Sequence, residues 1–265
     1  NQEIPDIALR TGSQLVASFT ASKVRWLADN EKENANKVAA IALPHDWLSW
    51  KLSGAKSIET LFTDRSDASG TGYFDSRKNE YCLDILATAI RTNQEIILPK
   101  IIAPNQFGAT STNSIPIAAG AGDNAGAALG LGASLGDLVI SLGTSGTAFA
   151  ISKSSTHDSS GEVAGFADAT GNFLPLACTL NAAKIFNTVA KSLSLSFEEF
   201  SSLALSAKVG AEGLRIIPHF DGERTPNKPS AKGSFHGITH SNFTKENIAR
   251  ASIEGVIAGM IYAAR

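Results

Sequence analysis

The 265-residue sequence is short of several features that would announce a function directly. It has two cysteines, Cys82 and Cys178, which cannot make a disulfide framework, and neither sits in a CxxC pair or a Cys/His cluster of metal-ligand spacing. Both lie among apolar residues and are expected to be buried thiols rather than nucleophiles. The five histidines, His45, His157, His219, His236 and His240, are scattered, with no pair at metal-ligand spacing, so no metal site and no histidine role is assigned. There is no excess of either charge. A formal net charge of −2 excludes a broad basic surface for nucleic acid or anionic lipid, so a small anionic ligand would be held by local donors. Long hydrophobic runs are also missing. The least polar stretch, Ile115 to Leu135, is rich in Gly and Ala and interrupted by Asp123, which makes it a poor membrane span. No signal peptide is recognised, which gives a cytoplasmic expectation. Asn1 is not an initiator and Arg265 falls inside a helical pattern, so the chain is expected to be a piece, incomplete at both ends. Neither a GxxxxGK[ST] phosphate loop nor a nucleophile elbow occurs.

What is present is ordinary globular composition, 43% hydrophobic and 18% charged, with a pattern that alternates between helix and strand. Helical spacing runs from Phe19 to Lys51, with Val24, Leu27, Val38, Ile41 and Leu48 on inner faces. Asp64 to Gly72 is dense in turn formers and predicts a loop. Tyr81 to Thr92 is periodic again. Ile115 to Ala119 predicts a short buried strand, followed by Gly120, Gly122, Asp123 and a helix-compatible run, Ala125 to Leu131. Leu138 to Leu142 and Thr147 to Ser152 predict two strands joined by a tight Gly143-Thr144-Ser145-Gly146 turn. Ser196 and Glu199 make a capping box for a helix to about Ala207. Gly210 to Gly237 predicts strand and loop. Thr244 caps a last helix with Ile248, Ala251, Val256, Met260 and Ala264 on one side. This mixture argues an α/β fold, with a domain boundary near Ser134.

Two motifs carry candidate chemistry. Asp123 follows a strand and two glycines and opens a helix of small residues. Its carboxylate would stand where helix amides gather ligands and where glycine lets a substrate approach the backbone. Phosphoryl transfer to a hydroxyl needs a carboxylate that accepts the hydroxyl proton, whereas a plain helix cap needs only a short polar side chain. The motif alone permits both. The Gly143 to Gly146 turn offers backbone amides and two hydroxyls suited to phosphate oxygens, or is simply a hairpin turn. Asp221-Gly222-Glu223-Arg224-Thr225-Pro226 reads as a cleft-shaping turn or as a solvated loop with an internal Glu–Arg pair. Asp64, Arg65 and Asp67 invite a metal or sugar reading, and capping by Asx turns accounts for them more simply. A dinucleotide-binding reading would rest on the Gly120, Gly122, Gly126 spacing alone, and Asp123 would intrude on a pyrophosphate.

Longer patterns resemble one family. Ser18 to Asn30 (SFTASKVRWLADN) is similar to the first signature of the FGGY carbohydrate kinases. Gly233 to Ile238, Asn247-Ile248 and Ala251 to Glu254 are similar to the second, and GAGDNAGAALG, SLGTSGT and FDGERTP stand between them in order. LPHDWLSWKLSG followed by TDRSDASGTG resembles the xylulokinases of that family more than its glycerol or gluconate kinases. The resemblance spans essentially the whole chain. It implies an actin-like, ribonuclease-H-like ATPase fold of two α/β domains. Residues 1–133 would be the later part of the sugar-side domain, and residues 134–265 the first part of the ATP-side domain. It further implies ATP-dependent phosphorylation of a ketopentose, D-xylulose at O5, with ATP and Mg²⁺ as cofactors. The sister activities on ribulose, a polyol or gluconate stay open, as does a fragment that binds sugar or nucleotide without turnover. Asp123 takes the position of the family's base, and Asn124 that of a residue hydrogen-bonding sugar hydroxyls. Gly143, Thr144, Ser145 and Gly146 take the phosphate hairpin, and Asn181 lies along the nucleotide pocket. Lys23, Trp26 and Glu254 fall to the scaffold. Homodimers are common in the family, and nothing in the sequence marks an interface. The family's amino-terminal phosphate loop and its carboxy-terminal adenine loop have no counterpart in these residues.

Overall fold

The computed structural model describes residues 2–92 and 94–265 as two compact units, one of residues 1–137 with 150–175 and one of residues 138–149 with 176–265. Where the sequence predicts a single cut near Ser134, the division falls after Asp137 and returns residues 150–175 to the first unit.

The first unit opens with α1 (Ile7–Thr11), α2 (Thr20–Asn30), α3 (Lys32–Ala35) and α4 (Pro44–Leu52). Pro44 supplies a preset φ at the start of α4, and the Asp46 carboxylate accepts the Leu43 N–H at 2.7 Å, satisfying one amide of the helix entry. Next come β1 (Phe62–Thr63), α5 (Arg65–Ser69), β2 (Phe74–Asp75), β3 (Glu80–Tyr81) and α6 (Leu83–Ile90). The predicted loop over 64–72 is therefore partly a helix. Asp64 caps it by accepting the N–H groups of Ser66 and Asp67, which turns a run of turn formers into a helix start. The strands β4 (Lys100–Ile101), β5 (Phe107–Thr110) and β6 (Pro116–Ala118) follow, then α7 (Asp123–Gly130). The strand expected to be buried is an outer one: among the described residues β6 pairs with β5 alone, and Pro116 and Ala118 are exposed. The core gathers Ile7, Ala21, Val24, Tyr73, Ile85, Leu86, Ala89 and Ile90 from α1, α2 and α6 with the segment before β2. Cys82 is half-buried beside it, and burial raises its thiol above the ordinary range.

The chain then enters the second unit through β7 (Leu138–Leu142) and β8 (Gly146–Ala150), returns to the first through β9 (Val163–Ala167), and goes back along β10 (Phe173–Thr179). Within the second unit β8 lies between β7 and β10, with Phe149 opposite Leu176 and Gly146 opposite Thr179. The remainder is α8 (Ala183–Ser192), α9 (Phe197–Ser206), β11 (Arg215–Ile217), β12 (Ser234–His236) and α10 (Lys245–Ala263). The capping box forms as expected, with Ser196 N donating to Glu199 at 2.7 Å and Glu199 N to the Ser196 hydroxyl at 3.2 Å. Thr244 caps α10, and Ile248, Ala251, Val256 and Met260 are buried along one face. That face packs on Ile185 and Val189 of α8 and on Phe200 and Ala204 of α9 to make the second core. No described helix is long and apolar enough to cross a membrane.

Candidate active site

In the first unit Asp123 is the first residue of α7, preceded by Gly122 in an extended conformation. Its side chain is exposed, and Oδ1 accepts both the backbone N–H of Asn124, at 2.8 Å, and the Asn124 amide, at 3.0 Å. One carboxylate oxygen is thus held in place, which leaves Oδ2 as the oxygen on which a substrate proton could land.

The turn beneath Asp123 rests on a cluster that spacing along the chain does not reveal. His45, at the head of α4, has Nε2 2.8 Å from Asp46 Oδ1, 3.5 Å from Asp64 Oδ2 and 3.3 Å from the Thr63 hydroxyl. Its Nδ1 lies 3.4 Å from Asp67 Oδ2. Asp46 and Asp64 are buried, and neither Asp46 Oδ1 nor Asp64 Oδ2 has a hydrogen-bond partner of good geometry among the described residues. The imidazole ring is their countercharge. Burial alone would lower the pKa of His45, but the carboxylates of Asp46, Asp64 and Asp67 outweigh it and hold the ring at about 10, as a cation at neutral pH. Burial tends to raise Asp64, and His45, the Ser66 hydroxyl and the Asp67 N–H overcome it to keep this carboxylate below its usual range. Asp67 moves the other way. Burial, then the neighbouring charge of Asp64, push it up to about 6.

The glycines ahead of Asp123 lie directly on this cluster. A Cβ at Gly120 would come 3.3 Å from Asp64 Oδ2 and 3.4 Å from the His45 ring, and one at Gly122 would come 3.3 Å from Asp67 Oδ1. Gly122 N donates to the Ser66 hydroxyl at 2.8 Å, and that hydroxyl donates to Asp64 Oδ1. The two glycines therefore admit the turn onto the buried charges from below. Sequence reasoning assigned His45 no role and gave Asp64 and Asp67 to capping. Capping by Asp64 is real, and the ion cluster is additional. Asp46 three residues beyond Leu43 in LPHDW was the available local signal. Arg65 takes no part, since its guanidinium donates to Asn79 and to the Ser76 carbonyl and lies over the Phe173 ring.

One ring nitrogen of His45 and single oxygens of Asp64 and Asp67 lie within 4.8 Å of one another. That spacing could gather a cation, but the ring is already the cluster's positive charge. Mg²⁺, which prefers octahedral oxygen donors and retained water, does not fit there.

In the second unit the Gly143 to Gly146 turn joins β7 to β8. Thr144 and Ser145 are exposed, and the turn is tied down by Gly143 N to Ser145 O at 3.1 Å and Ala183 N to Gly143 O at 2.9 Å. Gly146 is buried. A Cβ there would stand 2.4 Å from Met260 Sδ and 2.6 Å from Thr179 Oγ1, so glycine is required by close packing. Asn181, just after β10, is also buried. Its amide donates to Gly222 O at 2.8 Å and Glu223 Oε2 at 2.9 Å, and its oxygen accepts Phe220 N at 3.3 Å. Glu223 also accepts Leu180 N at 2.5 Å and Arg224 N at 2.8 Å. The Asp221 to Pro226 turn is therefore anchored and not a solvated loop: Glu223 is buried among N–H donors where an internal Glu–Arg pair was one expectation, and Asp221 pairs with Lys184 at 3.1 Å.

Comparison with known proteins gives the family. Residues 1–130 match the N-terminal domain of the FGGY family of carbohydrate kinases, and residues 138–264 match its C-terminal domain. A xylulose kinase of Streptomyces coelicolor is 41% identical over 96% of the chain, and one of Haemophilus influenzae is 33% identical over 92%. The chain spans about half the length of these relatives, 51% of each. The crystal structure of xylulose kinase from Bifidobacterium adolescentis aligns with a TM-score of 0.88 at 44% identity, covering 96% of this chain and 56% of that one. The fold is thereby the actin-like, ribonuclease-H-like α/β fold, and the chain belongs to the FGGY family of carbohydrate kinases.

Proposed function

We propose that the protein containing this chain transfers the γ-phosphoryl group of ATP to the terminal hydroxyl of a ketopentose, D-xylulose at O5. The observation that carries the reading is Asp123, an exposed carboxylate at a helix head with one oxygen fixed by Asn124. As the sugar oxygen attacks, its proton passes to Asp123 Oδ2 and the bond from the γ-phosphorus to the bridging oxygen of ADP breaks. Asn124 hydrogen-bonds sugar hydroxyls. The exposed Thr144 and Ser145 of the anchored turn hold ATP phosphates, with Gly143 and Gly146 giving the turn its shape. Mg²⁺ would come with the nucleotide and neutralise phosphate charge. Within the second unit, the hydroxyls of Thr144 and Ser145 are of the right donor chemistry to support it. Asn181 serves the nucleotide side by fixing the turn at Phe220 to Glu223, since its three described side-chain bonds are all internal. The sugar assignment follows the xylulose kinases to which the chain is most similar among the relatives above.

The test is ADP release by the whole protein with ATP and Mg²⁺ across D-xylulose, D-ribulose, L-ribulose, glycerol and gluconate. D-xylulose should give the highest kcat/KM, and Asp123→Asn should lower kcat by about 10²- to 10⁴-fold, the usual range for a general base. Preference for another sugar would reassign the substrate. Near-normal turnover by Asp123→Asn would remove the base, and nucleotide or sugar binding without ADP release would favour a binding role.

A further inference from the structure

We propose that His45 is a positioning residue for phosphoryl transfer: through Asp64 and Ser66 it fixes the Gly120 to Asp123 turn, and with it the Asp123 carboxylate. The inference rests on the reading of Asp123 as the base. His45 itself lies behind the glycines and acts through the turn.

The connection can be followed atom by atom. His45 Nε2 stands 3.5 Å from Asp64 Oδ2. The other oxygen of Asp64 accepts three donors from α5: the N–H of Ser66 at 2.8 Å, the N–H of Asp67 at 3.1 Å and the Ser66 hydroxyl. Because the Ser66 hydroxyl gives its proton to Asp64, its lone pair is turned to Gly122 N, which donates to it at 2.8 Å. Gly122 is covalently bonded to Asp123. A second route is steric, since Gly120 lies over the His45 ring and Asp64, and Gly122 over Asp67.

Charge explains why the ring matters. The groups facing it are the carboxylates of Asp46, Asp64 and Asp67 and the hydroxyl of Thr63. Farther back, the phenols of the buried Tyr73 and the half-buried Tyr81 are raised well above their ordinary range, by burial first and then, among other causes, by the charge of Asp46. Without the ring, two buried carboxylate oxygens, on Asp46 and Asp64, would lose their countercharge. They would then draw in water or protons, and the head of α5 would move with them. A displacement of about 1 Å in a reacting group is enough to cost on the order of 10²-fold in rate. The His45 site is also a charge cluster with buried carboxylates that the reading of Asp123 and Asn124 leaves unused.

The experiment measures steady-state ADP release in the whole protein for His45→Gln, Ser66→Ala and Asp123→Asn, and for each of the first two combined with Asp123→Asn. Ser66→Ala removes the link to Gly122 while keeping every charge and the backbone cap of α5. It therefore decides the matter if His45→Gln fails to fold by circular dichroism. Both single variants should lower kcat by roughly 10- to 100-fold with little change in the sugar KM. In the Asp123→Asn background neither should lower the residual turnover further, because both act through Asp123. If Asp123→Asn loses turnover while Ser66→Ala and folded His45→Gln keep wild-type kcat, the positioning inference fails and the base reading stands. If the losses multiply in the Asp123→Asn background, the cluster is general scaffold and the inference also fails. If Asp123→Asn keeps its turnover, both readings fall together.

Discussion

Each unit buries a carboxylate to hold a turn next to its candidate site residues, and the two do so in opposite ways. In the first, Asp46 and Asp64 are offset by a charged imidazole ring. In the second, Glu223 is offset by neutral N–H donors from Leu180, Asn181 and Arg224, with no ion pair to it among the described residues. A carboxylate satisfied by amides locks a local backbone shape, because each bond fixes a direction. One satisfied by an ionisable ring ties that shape to protonation as well. The turn under the proposed base thus carries a pH dependence that need not extend to the anchored turn beside Asn181.

The largest effect that would break the comparison is expected at Glu223. Glu223→Ala leaves the Leu180 N–H, the Asn181 amide and the Arg224 N–H without their acceptor. It should destabilise the second unit by about 3 kcal/mol or more, given the strength of bonds to charged groups. All three tryptophans, Trp26, Trp47 and Trp50, lie in the first unit, so their fluorescence follows that unit alone. Urea denaturation read by circular dichroism should therefore show an early loss that the fluorescence does not share. Coincident unshifted curves would mean that Glu223 is dispensable.

The next effect sharpens the contrast in pH. The folded-state pKa of His45, about 10, lies above the ordinary value of 6.5. Protonation therefore favours the folded form: the contribution is complete below about pH 6.5 and is lost as pH rises through about 10. Asp67, raised to about 6, titrates below that window, is ionised across it and does not reverse the trend. The fluorescence-detected stability of the first unit should fall between pH 6.5 and 10. After allowance for the ring's partial exposure the fall is on the order of 2 kcal/mol. His45→Gln should flatten the dependence, and a flat wild-type curve would remove the charged ring from the account.

Much of the second unit was legible because its signals are local. Ser196 and Glu199 are three residues apart and form the capping box they spell, and the Thr144-Ser145 turn joins two strands with apolar runs on each side. The same holds for Asp123 at the head of α7. The His45 cluster was not legible, because 18 residues separate its ring from Thr63 and the partners meet only when α4 and β1 pack. The buried Glu223 was missed for a similar reason, since a charged residue in a Pro- and Gly-rich run looks solvated until Leu180 and Asn181 arrive from β10. Burial of a charge is decided by tertiary partners, which a linear pattern does not contain.

The smallest effect concerns those local signals. Ser196→Ala and Thr244→Ala should each cost about 1 kcal/mol, as losses of helix caps do. The circular-dichroism transition should shift in both, and the tryptophan transition in neither.

The glycine at the foot of the proposed phosphate turn has one more consequence. Met260, the only methionine in the sequence, lies under Gly146, with its terminal methyl 3.2 Å from where a Cβ would stand. A carbon-13 label on methionine methyls would therefore place a single resonance from this chain beneath the turn. On the proposed role of the turn, its chemical shift would follow nucleotide binding, giving a spectroscopic window on occupancy that needs no substitution and no turnover.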